Sequence, residues 1–129
     1  MLFRSLYQAP MIQFDKISYS TNEEVGTLNV VLMRTGDLRF TSKVRCYTRY
    51  MTAEVERDFK ERADTDESLI VFNPGENRKI CPVAIIHDVV FEGREKFRLK
   101  LGSVDKESRI GERNATVITI VDLEDSEYY

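Results

Sequence analysis

The chain has no tryptophan, one histidine, two cysteines and three prolines in 129 residues, and each scarcity removes a class of protein. Without Trp there is no indole to pack on an inter-sheet bridge, which disfavours an immunoglobulin domain proper. His87, Cys46 and Cys81 fall short of the four ligands of a structural zinc site and lack its paired spacing. No Gly-x-Ser-x-Gly elbow accompanies the serines, so a hydrolase triad has no support, and nothing suggests a cleft that Glu92 and Glu95 could serve as paired acids. The chain is read as a non-enzyme, without a small-molecule substrate. No apolar run approaches the roughly 18 residues of a membrane span, and Met1 to Pro10 has Arg4 without an apolar stretch behind it. Membrane insertion is not expected. Nor is there an excess of cations: 19 Lys and Arg against 22 Asp and Glu leave a net charge of −3, which is not the footprint of a nucleic-acid binder.

What is present is enough apolar material for a core, 42% hydrophobic against 32% charged, at the size of one domain. Residues 96 to 101 alternate Lys96, Phe97, Arg98, Leu99, Lys100, Leu101, a strand with one wet face. Lys43 to Arg49 repeats the pattern, with Val44, Cys46 and Thr48 inward, and Leu28, Val30 and Leu32 make the same stripe in Thr27 to Arg34. Ser68 to Phe72, Ile80 to Ile86 and Thr116 to Val121 are β-rich, and a further strand is expected within Ile12 to Tyr19, seven in all. Turn residues fall between the runs at Thr35-Gly36-Asp37, Asn73-Pro74-Gly75-Glu76-Asn77 and Gly111-Glu112-Arg113-Asn114. The pattern indicates an all-β antiparallel sandwich. Pro82 lacks a ladder donor, so its run belongs at an edge or carries a bulge.

One window departs from alternation. Between Glu54 and Glu67 ten of fourteen residues are charged, and Val55, Phe59 and Ala63 recur every fourth position, as on a helix. A short helix, an ordered loop or a solvated connection pinned by Phe59 all fit. Seven acids in this window and four between Asp122 and Glu127 leave the rest of the chain at net +5, so charge is segregated. The acids gather where strands end: Glu23 and Glu24 before Gly26, Asp88, Glu92 and Glu95 after Ile86, and Asp122 and Glu124 after the last strand. Crowded carboxylates repel and call for solvent, Lys or Arg partners, or a cation, and Ca²⁺ suits loops from several strand ends better than Mg²⁺. No EF-hand loop is present, so any site must be assembled from separated segments. The cations Lys43, Arg45 and Arg49, with Lys96, Arg98 and Lys100, lie on outward faces; such stripes are ordinarily solvated, and a sulfated glycan is the ligand class they would suit. Cys46 and Cys81 stand in apolar runs either as buried thiols or as one cross-sheet disulfide of an exported protein, to which the sequon Asn114-Ala115-Thr116 adds weight. His87 is assigned no chemistry.

Taken in order, Glu23-Glu24-Val25-Gly26, Arg34-Thr35-Gly36-Asp37-Leu38, Thr52-Ala53 with Asp58-Phe59, Phe72-Asn73-Pro74-Gly75-Glu76, Ile85-Ile86-His87-Asp88, Phe91-Glu92 with Glu95 and Phe97, and Val117 to Asp122 resemble a Calx-beta domain. Arg34 to Leu38, Val44 to Thr48 and the Cys81 position look most like the Fras/Frem extracellular matrix proteins of basement membranes. The resemblance implies an immunoglobulin-like sandwich of about seven strands over residues 14–125, with 1–13 a linker and 126–129 a tail. It implies Ca²⁺ at one pole, with Glu23, Asp58, Asp88, Glu92, Glu95, Asp122 and Glu124 as ligand positions and the Val90 carbonyl as a further oxygen. His87, Val89 and Leu123 stand where calcium-binding members often carry Asp, so one or two weak sites, or none, are expected. It also implies that Cys46 and Cys81 face each other from opposite sheets as a disulfide. The function expected is an extracellular module of a matrix or cell-adhesion protein, glycosylated at Asn114, whose partners are neighbouring domains of its own chain and matrix or cell-surface proteins. The alternative is a cytosolic calcium sensor regulating a transporter.

Overall fold

In the computed structural model, residues 8–53, 58–87 and 94–121 are described. Among them are nine strands: β1 (Met11–Phe14), β2 (Ser18–Asn22), β3 (Thr27–Thr35), β4 (Ser42–Tyr50), β5 (Leu69–Phe72), β6 (Arg78–Ala84), β7 (Arg94–Ser103), β8 (Arg109–Ile110) and β9 (Ala115–Val121). They form two sheets, β6-β3-β1-β8 and β2-β9-β7-β4-β5, packed face to face as the alternating pattern requires. Phe14, Val30, Leu32, Val83 and Cys81 from the first sheet meet Val44, Cys46, Phe72, Phe97, Leu99 and Ile118 from the second in one buried core.

The stretch Ile12 to Tyr19 is two strands, not one. β1 lies antiparallel to β3, and β2 lies parallel to β9 in the other sheet, so the chain changes layers at Asp15–Ile17. Asp15 donates its N–H to the Val31 carbonyl on one side of the change, and Ile17 accepts from the Val117 N–H on the other. Ile12 and Phe14 thus fill the core from one sheet and Tyr19 packs against it from the other. Because Ile12 is fully buried, the folded unit includes residues before Phe14, inside the stretch expected as linker. The two-residue β8 has no counterpart among the expected runs. Pro82 sits on β6, an edge strand opposite Asn29, where its missing N–H costs little.

Strand parity carries one charge inward. Leu28, Val30 and Leu32 lead to Arg34, which is 1% exposed. Its guanidinium donates to the carbonyls of Glu76 (3.0 Å), Phe40 (2.7 Å), Asn73 (3.0 Å) and Leu38 (3.4 Å), and to Ser42 Oγ (2.9 Å). The Phe72 ring lies 5.4 Å beneath it. Burial lowers the Arg34 pKa, and Glu76, Asp37 and Asp105 act in the opposite direction; it remains a cation. One side chain therefore joins the β3–β4 connection to the β5–β6 turn. The backbone completes the joint: Gly75 donates to Leu38 (2.7 Å), and Asp37 donates to Gln8 (2.8 Å). Gly36 at φ +88 cannot be replaced readily, because a Cβ would run into the Ala9 carbonyl. Asp105 holds the same pole from another side, accepting from the N–H of Lys43 (2.8 Å) and of Ser108 (2.7 Å).

Two outcomes follow for this pole. Arg34→Met removes the guanidinium from the Glu76 and Phe40 carbonyls and from Ser42 Oγ, while Leu38 and Asn73 keep the N–H groups of Gly75 and Glu76, and it should cost about 3–5 kcal/mol in urea unfolding, with Arg34→Lys recovering only part. The second concerns acid. The Asp37 carboxyl is held low by the Arg39 guanidinium, and that of Glu76 by the Asn73 N–H and Lys79. Burial pushes Asp105 up, but the N–H groups of Lys43 and Ser108 outweigh it and leave the pKa below the usual range. A pKa lowered by folding gives stability that is complete above the unfolded value, near about 4, and is lost as pH falls through the folded value. Urea midpoints should hold from neutral pH to about 5 and decline below about 4, and Asp105→Asn should flatten that decline.

Candidate functional site

Beyond Arg45 the β4 edge no longer has β5 as a partner, and its peptide groups need others. Residues of the acidic window supply them. Thr48 N–H donates to the Arg62 carbonyl (2.8 Å), and Arg62 N–H donates to Thr48 Oγ1 (3.0 Å). The Arg62 guanidinium donates to the carbonyls of Cys46 (2.8 Å), Pro82 (3.2 Å) and Ser68 (3.3 Å), spanning both sheets. Burial lowers its pKa. Lys60 N–H donates to Ala84, Ile86 N–H donates to Asp58, and Phe59 bridges Ile85. Phe59 is fully buried and stacks on Phe97 at 4.0 Å. The four-residue spacing is therefore not helical at Phe59 and Ala63, since the unpaired edges of β4 and β6 hold this stretch open; Val55 lies outside the described residues. A 3-10 turn follows at Asp66–Ser68, its N–H at Glu67 capped by Thr65 Oγ1.

The seam delivers Asp58 to the pole opposite Arg34. Register places Asn22 beside Val121, Val121 beside Arg94, Thr27 beside Ala84 and Tyr50 beside Phe97, so six strand ends share that pole. Asn22 caps a 3-10 turn at Glu23–Val25 by accepting from Glu24 N–H (2.9 Å). Gly26 then accepts from Ile85 N–H (2.8 Å), while the next amide, Ile86, donates to Asp58. Two adjacent amides of the β6 end therefore hold the segments that carry Glu23 and Asp58. Asp58 is 7% exposed, and the Glu23 side chain 12%, with His87 Nε2 3.6 Å from Glu23 Oε1. Neither residue is without a partner. Glu95 lies on the inward face of β7, two residues before Phe97, so the aromatic stack ties its strand to the segment of Asp58.

Glu23, Asp58 and Glu95 do not by themselves form a ligand group, and no group of three or more His, Cys, Asp or Glu side chains that could hold a metal exists among the described residues. Asp88, Glu92, Asp122, Glu124 and the Val90 carbonyl lie outside the described residues. The chemistry of the part that is described suits a hard cation: two carboxylates drawn away from solvent and no thiolate. Two carboxylates offer at most four oxygens of the roughly 6–8 that Ca²⁺ takes, so the shell would need further oxygen donors. His87 is exposed at this pole. Asn114 is exposed at the other, just before β9, its carbonyl accepting from Leu101 N–H. Cys46 and Cys81 are fully buried on β4 and β6, one in each sheet, Cα atoms 6.6 Å apart, and are joined as a disulfide. Sequence reasoning did not single out Arg34 or Arg62. Parity along β3 carried the signal for Arg34; nothing local marks Arg62.

The Calx-beta domain family model matches residues 7–124. Extracellular matrix protein 3 of Lytechinus variegatus is 42% identical over 121 residues, 91% of this chain and 4% of that protein. FRAS1-related extracellular matrix protein 2 of Homo sapiens is 41% identical over 122 residues, 92% of this chain and 4% of that protein. Sodium/calcium exchanger 1 of Mus musculus is 34% identical over 102 residues, 78% of this chain and 10% of that protein. Among solved structures, the apo form of the Calx CBD1 domain superposes with a TM-score of 0.81 at 25% identity, covering 89% of this chain and 98% of that one. The chain thus spans a few hundredths of the length of its matrix relatives.

The seam gives a direct stability test. The Cys46–Cys81 bridge spans 35 residues, and in the chain-entropy picture a closed loop of that order contributes about 2–4 kcal/mol. The double variant Cys46→Ser/Cys81→Ser should lower the unfolding free energy by that amount, and dithiothreitol should do the same to the parent protein and nothing to the variant.

Proposed function

Because the chain belongs to the Calx-beta domain family, we propose that it serves as an extracellular, non-enzymatic module of a basement-membrane matrix or cell-adhesion protein, with Ca²⁺ at the carboxylate pole. The observation that carries the calcium part is the withdrawal of Asp58 and Glu23 from solvent at the pole where six strand ends meet. Burying a carboxylate is costly unless a donor or a cation compensates it. In this reading Glu23 and Asp58, with Glu95, Asp88, Glu92, Asp122 and Glu124, hold one or two ions. Extracellular modules bind at about 10⁻⁴–10⁻³ M, a range in which ambient calcium occupies the site and stiffens the junction with a neighbouring domain. Its partners are neighbouring domains and matrix or cell-surface proteins, and Asn114, exposed on the folded surface, carries the glycan.

Similarity to an exchanger supports the second reading, a cytosolic calcium sensor that regulates a transporter. The pairing of Cys46 with Cys81 weighs for the first, since such bridges persist in oxidising compartments.

Melting in millimolar CaCl₂ against chelator is the test. Millimolar calcium is about one to ten times such a dissociation constant and adds about 0.4–1.4 kcal/mol, so calcium should raise the midpoint while magnesium does not. Glu23→Gln/Asp58→Asn should abolish the rise. An unchanged melt at millimolar calcium would remove the ion from the proposal.

A further inference from the structure

The outward positions of the five-stranded sheet carry no carboxylate on any of its strands. They do carry cations. Lys96, Arg98 and Lys100 stand in a row on β7 at about 6.8 Å intervals, twice the strand rise. On the neighbouring β4, Lys43, Arg45 and Arg49 continue the field, with Arg49 directly opposite Arg98 and Tyr47 opposite Lys100. The strand on the other flank presents Ala115, Val117 and Thr119, which are short and uncharged, so the long cationic stems are not overshadowed. Like charges facing each other across a ladder destabilise it. Among the described residues compensation lies at one border, where Asp66 and Asp64 reach Arg45 at 2.7 and 3.7 Å and Asp64 reaches Arg49 at 3.9 Å. Among the described residues no carboxylate pairs with Lys96, Arg98 or Lys100. Arg49 is further held over the Tyr47 ring at 4.5 Å.

From this arrangement we propose that the outer face of the five-stranded sheet binds a sulfated glycosaminoglycan chain laid along β7. A protein of net charge −3 that nevertheless gathers on one flat face Lys96, Arg98 and Lys100, with no carboxylate partner among the described residues, keeps a local positive field that attracts an anionic partner. The band is narrow. It is one or two strands wide and bordered by Asp64 and Asp66, which suits a single polysaccharide strand and sets acids against the broader backbone of a duplex. The cations stand on the outward side of β7, whereas Glu95 lies on its inward side, so binding does not run through the carboxylate pole and does not depend on calcium.

The experiment is retention on immobilised heparin at about 0.15 M salt, where screening between exposed charges acts within about 8 Å. The intact domain should bind, equally with calcium or chelator, and release as salt rises. Lys96→Glu/Arg98→Glu/Lys100→Glu should weaken binding roughly ten- to a hundredfold, as three exposed charge contacts would. The all-Gln version of the same triple serves if charge reversal impairs folding. Arg78→Glu/Lys106→Glu/Arg109→Glu makes the same change of net charge on the opposite sheet and its turns, and should leave binding intact. Equal loss in both triples, equal retention on heparin stripped of sulfate, equal binding to duplex DNA, or passage of the parent protein through the column would each overturn the assignment.

Discussion

Peptide groups at the open seam between two sheets need partners, and in this protein a single guanidinium supplies several at once. Arg62 donates to carbonyls on β4 and β6, the same two strands whose Cys46 and Cys81 side chains meet in the core beneath. Non-covalent and covalent fastenings therefore cross the same gap. Around them Phe59 closes the core on Phe97, and Asp58 accepts from Ile86, so the position of the acidic pole depends on the seam being closed. An arginine suits the task because it stays charged on partial burial and presents its donors in a fixed fork.

The two ends of the sandwich solve opposite problems. At one end a cation, Arg34, is buried and fully supplied with acceptors, mostly carbonyls of two loops it joins. Such an end is complete within the chain itself. At the other end Asp58 and Glu23 are the charges withdrawn from water, and the amides of Ile85 and Ile86 are already committed to the backbones of Gly26 and Asp58. The asymmetry follows from how each loop closes. Gly36 and Gly75 let the first pair of turns fold tightly onto one side chain, whereas at the other pole strand ends from both sheets converge with no such arginine plug among the described residues.

Charge is distributed on the same principle. Inward positions of the five-stranded sheet are mostly apolar, and its outward positions collect the cations, while acids are confined to connections and strand ends. A sheet of this kind tolerates the repulsion because its free energy comes from the buried face. The matrix relatives are long proteins, of which the chain spans about 4%.

Alternation in Thr27 to Arg34, Lys43 to Arg49 and Lys96 to Leu101 was enough to determine strands, their buried faces and the sandwich class, because the period of two is a local property of the backbone. The edge placement of Pro82 was legible for the same reason: a missing donor is a property of one residue. Charge counting also marked Glu23 as an end-of-strand acid and placed Asp58 within the acidic window. Sheet membership was not legible, since the change of layer at Asp15–Ile17 is decided by which distant strands, β3 or β9, offer a free edge. The fates of Arg34 and Arg62 were hidden likewise, because their acceptors lie up to 42 residues away and exist only once the turns have closed. That Glu23 and Asp58 share a pole, and that two cationic stripes far apart in sequence become one face, only tertiary structure decided: both depend on non-local pairings whose energy appears after the chain has folded.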